Sequence, residues 1–539
     1  MSLQNVNAVL KDNSLEMTTE VPATVDDNGI ERNDGHNNAT QSSSTDAENM
    51  RRMGRDQELV RNFRMFSMAS FAAMATAIWE FSLFQISPAL IDGGRPVLMY
   101  ATIWSFIGFA PIYLSMAEMS SMAPIAGAQY HWVSEFAPEN MQKILSYVSG
   151  WTSTLALQAG NALGVLLVGT LMQTIIVVNV PDYSSPAWHG TLLSLVPVVL
   201  AFTGSVYGSK VLPYWQHAAF TVHVLAYLAI LIPIWINAPE ATHEQVWTSF
   251  ESSGGWSSLP LAVMIGQLPG ITFQVGIDAA THMSEEVQDA AKAVPRAMLT
   301  VFVVNFIILF PMILTACYHI PDLEAALADD TTYPFIYILR QSMPGAWVTV
   351  VLVVTVGLLI CSNVTFLTAT SRDLYAFARD QGLPFSGWIA KVDKKHNVPQ
   401  HASIVTSALS FLMAIIYIGS PLAFYAITSL FTVAIIQCYT LSIGCLLWRR
   451  IYHPETLPYA QFSLGKWGVP TNIAAIVYGI WSFFWSFWPQ EYPVTAEGFN
   501  WASPLFGAAL IGALVHYLFI GRKRYHGPVA LVRGRKVAD

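Results

Sequence analysis

An acid inside an apolar run is the first residue of this chain that could do chemistry. Glu80 ends the stretch Ala75-Thr76-Ala77-Ile78-Trp79-Glu80, within a segment that is otherwise almost wholly apolar. A carboxyl held in hydrocarbon is costly to ionise, so it exchanges a proton or pairs with a cation, and such an acid marks a functional site. His217 and His223 lie in a second apolar run. Imidazole titrates near neutral pH, which makes both of them, with Glu80, candidates for proton coupling. Their spacing places them on different helix faces, so a structural hydrogen bond is the alternative for each.

A third run interrupts its own helix. Gly266-Gln267-Leu268-Pro269-Gly270-Ile271-Thr272-Phe273-Gln274-Val275-Gly276-Ile277-Asp278 is apolar, yet proline and repeated glycine disfavour a continuous helix. Asp278 is of a type that caps a restarted helix. Backbone freed at membrane depth is tolerated where it lines a cavity or is buried in protein. The N–H groups of a half-helix suit a carboxylate, and unwound carbonyls suit an ammonium. A zwitterion or an amine therefore fits such a break without side-chain charges. Trp79 and Phe273, beside the two candidate breaks, could box a quaternary ammonium by cation–π attraction. The four cysteines, Cys317, Cys361, Cys438 and Cys445, all lie in apolar stretches with no zinc-like spacing. No metal, cofactor or disulfide framework is expected.

The elements that must hold these residues are membrane spans. Of 539 residues 53% are hydrophobic and 12% charged, against about 25% charged in soluble domains. A helix needs about 20 apolar residues to cross the hydrocarbon. Twelve segments qualify, at 66–90, 97–119, 144–178, 192–207, 212–236, 259–280, 298–318, 347–369, 402–418, 422–448, 469–488 and 504–520. With the N-terminus in the cytosol, only Arg95 and Arg340 of the 27 Lys and Arg residues fall outside. That bias predicts both termini to be cytosolic. The polar head, 1–64, has too few apolar residues to offset ordering entropy and is expected to be disordered. It has no signal-peptide pattern. A transporter domain follows over 65–521, then a basic cytosolic tail over 522–539. Interruptions in the first and sixth spans are what an inverted five-plus-five repeat predicts, with the binding site between them.

Three alternatives fail on pattern. Gly204-Ser205-Val206-Tyr207-Gly208-Ser209-Lys210 has the wrong spacing for a phosphate-binding loop, so no ATP-driven pump is expected. No nucleophile–base pair or catalytic carboxylate pair suggests an enzyme, and nothing suggests a nucleic-acid partner. A facilitator-superfamily carrier has parallel halves without broken first and sixth helices.

Three ordered stretches resemble amino acid–polyamine–organocation permeases. Ala117-Glu118-Met119-Ser120-Ser121-Met122-Ala123-Pro124 with Tyr130-His131-Trp132 is similar to the family's 2–3 loop. Asp278-Ala279-Ala280-Thr281-His282-Met283-Ser284-Glu285-Glu286, followed by Val294-Pro295-Arg296-Ala297, resembles its end of helix 6. Ser371-Arg372-Asp373-Leu374-Tyr375 through Gly382-Leu383-Pro384 resembles the segment after helix 8. The likeness is greatest to the fungal amino acid/choline branch, which includes 4-aminobutyrate and choline permeases. It implies an all-α membrane protein of the leucine-transporter type, with helices 1 and 6 broken and two helices beyond the repeat. It implies substrate contacts at Ala75, Thr76 and Ala77 and at Phe273, Gln274, Val275 and Gly276; Trp79 and Glu80 join the candidate contacts on their own chemistry. Where many members have a glycine-rich first break, this chain has Ala72-Ala73-Met74-Ala75.

Ser362, Asn363 and Thr365 stand where sodium-coupled relatives hold the ion, with helix–helix hydrogen bonding as the alternative. Gly160 and Gly164 read as a close-packing step. Glu118, Glu285, Glu286 and Arg372, at helix ends on the cytosolic side, are candidates for an inner gate of ion pairs. The expected function is proton-coupled import of an amino acid or small amine, choline-like or 4-aminobutyrate-like, by alternating access. Its expected partners are that solute, the bilayer and protons, with the plasma membrane placed ahead of the vacuole. An exporter of an amine-bearing metabolite and a transporter-like nutrient sensor stay open.

Overall fold

Apolar stretches of this length fold as helices because no water is available to satisfy the backbone. The computed structural model describes residues 46–55, 57–420, 422–525, 527 and 528. Among these, ten helices are long and apolar enough to cross a membrane. The first comprises α1 (Met65–Thr76) and α2 (Ile78–Ser82). Next come α3 (Gly94–Met122), the short α4 (Ala128–Phe136) and α5 (Gln142–Asn179). The fourth expected span begins earlier than its apolar run, at Ala187, and ends in α6 (Leu195–Tyr207). After α7 (Leu212–Asn237), the interrupted stretch gives only short helices: α8 (Leu259–Ile265), α9 (Leu268–Thr272) and α10 (Ala279–His282). Then follow α11 (Ala290–Tyr318), α12 (Gly345–Arg379), α13 (Gln400–Ile415), α14 (Ala423–Tyr452), α15 (Gly468–Trp485) and α16 (Ala502–His516).

The long α5 is the spine, packed along α12 and α14, while α3 packs on α11. Small residues permit the close approach: a Cβ on Gly150 would overlap the Phe377 ring, and one on Gly108 the Tyr478 ring. The described ends of the chain meet on one face, here the tail face. There Tyr525 is buried and its hydroxyl lies 2.5 Å from Ser146 Oγ.

The head departs from the expectation of disorder where it is described. Residues 1–45 and Asp56 lie outside the described residues. Residues 46–52 are helical, and Met50, Met53, Leu59 and Phe63 are all buried. A few apolar side chains suffice because they dock into a core that already exists. The Asp46 carboxylate accepts from the Asp289 and Ala290 amides at 2.8 and 3.2 Å, closing the N-terminus of α11. Phe63 pairs with the 286–288 strand-like turn through bonds of 3.0 and 2.9 Å.

On the opposite face β1 (Asp92–Gly93) pairs antiparallel with β2 (Glu251–Ser252). This pins the loop above the first span to the entrance of the interrupted stretch. Asp92 is buried there, and among the described residues neither carboxylate oxygen has a hydrogen-bond partner. Burial, with the Glu491 charge adding to it, pushes its carboxyl up to about 7. The folded state therefore holds this proton more tightly than the unfolded chain does. Stability should fall as pH rises from about 4 through 7 and level off above that. Asp92→Asn should flatten this fall in thermal unfolding scans; an unchanged pH profile would remove Asp92 as its source.

Candidate functional site

The first span breaks at Ala77, which takes the left-handed conformation (φ 40°, ψ 56°) between α1 and α2. Alanine is rarely found there, so neighbouring contacts must impose it. Ser362 Oγ donates to the Ala75 carbonyl at 3.3 Å, satisfying one group that the end of α1 leaves free. Asn305 Nδ2 donates to Thr76 Oγ1 at 3.0 Å.

The interrupted stretch leaves helical geometry after Thr272, tightening into short-range bonds from the Gln274 and Val275 amides to the Ile271 and Thr272 carbonyls. Pro269 sits in the first turn of α9, where a missing N–H costs nothing. Gly276 has φ +98°, a conformation open to glycine without a penalty. The Gln274 carbonyl accepts from the buried Tyr113 hydroxyl.

Between the two breaks lies a cavity of about 50 Å³. Ala75, Thr76, Phe273, Val275 and Gly276 line it, as the sequence pattern suggested. Ala77, Trp79, Glu80 and Gln274 do not. Trp79 turns away, is fully buried, and donates its indole N–H to the His223 carbonyl at 3.3 Å. The expected aromatic box of Trp79 and Phe273 is thus corrected: the rings facing the cavity are Phe273, Phe81, Phe366 and Phe431. Phe366 and Phe431 meet edge to face at 6.1 Å. Sequence reasoning passed over Phe81, Phe366 and Phe431. The one available signal was spacing, since Phe366 follows Ser362 by four residues on one helix face.

Gly160 and Gly164 also line the cavity, so their smallness shapes the site as well as the packing. A Cβ on Gly164 would stand 2.5 Å from Asn363 Oδ1. Gly164→Ala should push that amide into the cavity and lower transport at least 10-fold, at an overpacking cost of about 1–3 kcal/mol. Unchanged KM and rate would refute the role. Asn363 donates to the Gly164 carbonyl at 3.3 Å, while Thr365 accepts from Gln216 Nε2 at 2.7 Å.

Glu80 and His223 form a pair of their own beside the cavity. Their Oε1 and Nδ1 atoms are 2.6 Å apart, and both residues are buried. His217 does not join them. It lies 3.1 Å from Ser70 Oγ and stacks on Phe66. Asp278 does not cap the restarted helix with its side chain. Its two oxygens are taken instead by Gln129 Nε2 at 2.7 Å and the Tyr439 hydroxyl at 2.6 Å.

Ion pairs cross the tail face below the cavity. Arg372 meets Glu286 at 2.8 Å, but Glu285 and Glu118 take partners the sequence reading did not name, Arg379 and Arg450. The head segment lies across them: Tyr375 donates to Glu58 at 2.6 Å and Gln57 to the Glu285 carbonyl at 2.8 Å. On the opposite side lies a second cavity, of about 280 Å³, whose lining includes Phe84, Leu268, Thr428, Tyr425 and Glu491.

Residues 63–511 match the amino acid permease family. The chain belongs to that family. This permease is an integral, multi-pass membrane transporter rather than an enzyme. It is 29% identical to a Macrophomina phaseolina protein provisionally named an amino acid/polyamine transporter, over 76% of this chain and 91% of that one. It is 24% identical to the choline transporter of Saccharomyces cerevisiae, over 87% and 83% of the two chains. Amino-acid permease BAT1 of Arabidopsis thaliana is 26% identical over 89% and 96%.

Proposed function

We propose that this permease imports an amino acid or a small amine of the choline or 4-aminobutyrate class, driven by protons, through alternating access. The observation that carries this reading is the cavity where the Ala77 break meets the Phe273–Gly276 segment. It sets the backbone of two helix breaks beside four aromatic rings suited to a methylated amine, with no charged side chain among the residues that line it. The names of the relatives, amino acid, polyamine and choline carriers, point to the same chemistry.

In this reading the 66–90 and 259–280 segments are the broken first and sixth spans of a twelve-span, five-plus-five inverted repeat. The tail face is cytosolic and the membrane is the plasma membrane; the distribution of Lys and Arg supports that orientation. The ion-paired tail face and the cavity on the other side suit a state that loads from outside. Glu80, paired with His223, binds the coupling proton, and the ion pairs of Glu118, Glu285, Glu286 and Arg372 latch the inner gate. Uptake of a panel of radiolabelled amino acids, choline and polyamines into proteoliposomes at two external pH values tests it. Concentrative uptake of one class, faster at acid external pH, is expected. Binding without uptake across the panel would overturn it.

A further inference from the structure

Beneath the cavity the chain buries three ionisable side chains that line no part of it. Asp278 and His282 belong to the α10 segment and Asp373 to α12, and each is at most 1% exposed. His282 Nε2 lies 3.7 Å from Asp278 Oδ2, and Nδ1 lies 3.6 Å from Asp373 Oδ1. Nδ1 is also 2.9 Å from the Ala126 carbonyl. A carbonyl only accepts, so Nδ1 carries a proton, and the protonation of Nε2 decides the charge of the ring.

Both carboxylates are furnished with donors. Asp278 has Gln129 and Tyr439; Asp373 accepts from Ser153 at 3.0 Å and Thr154 at 3.2 Å, both on α5. Such donors favour the ionised forms. Among the described residues, no Lys or Arg forms an ion pair with either acid. Arg372, next along the chain, gives its guanidinium to Glu286, and Arg379 goes to Glu285. The other titratable groups facing the cluster are Tyr113 on α3 and Tyr439 and Cys438 on α14, all neutral at ordinary pH. Two buried acids thus share one basic partner, the ring of His282.

We propose that His282, set between Asp278 and Asp373, is a proton-binding site whose proton clamps the α10 segment to α12 and keeps the tail face shut. Protonated, the imidazolium attracts both carboxylates across the gap between the two elements. Deprotonated, Nε2 turns a lone pair toward Asp278, and the two acids repel in a medium that screens them poorly. The loss therefore favours separation of α10 from α12. Glu285 and Glu286 follow His282 within four residues and hold the arginine pairs, so separation at His282 undoes that latch. The direction of coupling rests on the alternating-access reading; the proton site itself does not.

Reactivity of a buried cysteine reads the clamp without any substrate. Val287, fully buried next to Phe63, becomes the reporter as Val287→Cys in the purified full chain. The chain without that change is the blank, and Lys394→Cys, exposed on the same face, normalises for thiol ionisation. Maleimide labelling should rise about 10-fold from pH 6 to pH 9. His282→Gln should label fast at both pH values and His282→Lys slowly at both. Should either fail to give a monodisperse protein, Asp373→Asn, which removes the repulsion, should label slowly throughout. A parent rate indifferent to pH, or a parent profile retained in His282→Gln or Asp373→Asn, overturns the proposal. If Glu80→Gln flattens the profile while His282→Gln leaves it, proton coupling stands and the clamp falls. If the chain moves no solute but His282→Gln flattens the profile, the clamp stands and the transport reading falls.

Discussion

Glu80→Gln is expected to abolish concentrative uptake while leaving the protein folded and in the membrane. The amide keeps the volume of the carboxyl and a hydrogen bond to His223, whose Nδ1 lies 2.6 Å away in the parent. What it loses is the capacity to bind and release a proton inside a pair that is buried on both sides. Coupling between linked sites runs about 1–3 kcal/mol, up to about 150-fold in affinity. A fall of about 100-fold in accumulation, with the residual uptake indifferent to pH, is therefore the expected result. Glu80→Ala is a poorer test, because it strands His223 in a cavity of its own. Full pH-dependent accumulation by Glu80→Gln would remove this acid from the coupling. Measuring surface expression alongside uptake separates that result from a folding failure.

The second large effect is expected from Arg379→Ala. Glu285 is fully buried, and both its oxygens accept from the guanidinium, at 2.9 and 3.1 Å. Burial alone would raise the Glu285 carboxyl, but the Arg379 charge and hydrogen bonds outweigh it and hold the group below its ordinary value. Because the folded-state value is the lower one, the pair's stabilisation is present above the ordinary carboxyl range. It is lost as pH falls through the folded-state value. Removing the arginine leaves an uncompensated buried carboxylate, which costs about 3–5 kcal/mol. The midpoint of thermal unfolding at neutral pH should fall accordingly, and adding Glu285→Gln should recover part of the loss. A single variant as stable as the parent would show that the pair holds nothing together. If the pair also latches the gate, the double variant should stay more accessible from the tail face than the parent.

The helical character and most of the spans were legible in the chain: twelve apolar segments were expected, and among the described residues ten helices are long and apolar enough to cross a membrane. Apolar length and the scarcity of charge specify membrane helices almost without tertiary information, because hydrocarbon leaves the backbone no other partner. The interruption at Leu268–Gly276 showed through proline and glycine chemistry, which is local. The one at Ala77 showed only through Glu80 and a cluster of small residues, since alanine carries no conformational signature. Asp46–Arg64 was misread for the opposite reason: its own composition cannot build a core, yet Met50, Met53, Leu59 and Phe63 borrow one.

Which residues meet across the interior was not legible. Glu80 and His223 were each suspect, but their pairing depends on the rotation of α7 about its axis, which excludes His217 by the same geometry. Apart from the spacing of Phe366 from Ser362, the phenylalanine walls from Phe81, Phe366 and Phe431 look in sequence like the many aromatic residues that merely pack. Glu285 and Arg379 stand 94 positions apart, a separation that no local pattern spans. By itself the sequence determined where this chain leaves water and where its helices cannot run straight, because both follow from the chemistry of a residue and its near neighbours. Only the tertiary structure decided which charges neutralise one another and which rings enclose the cavity, because those depend on the packing of helices far apart along the chain.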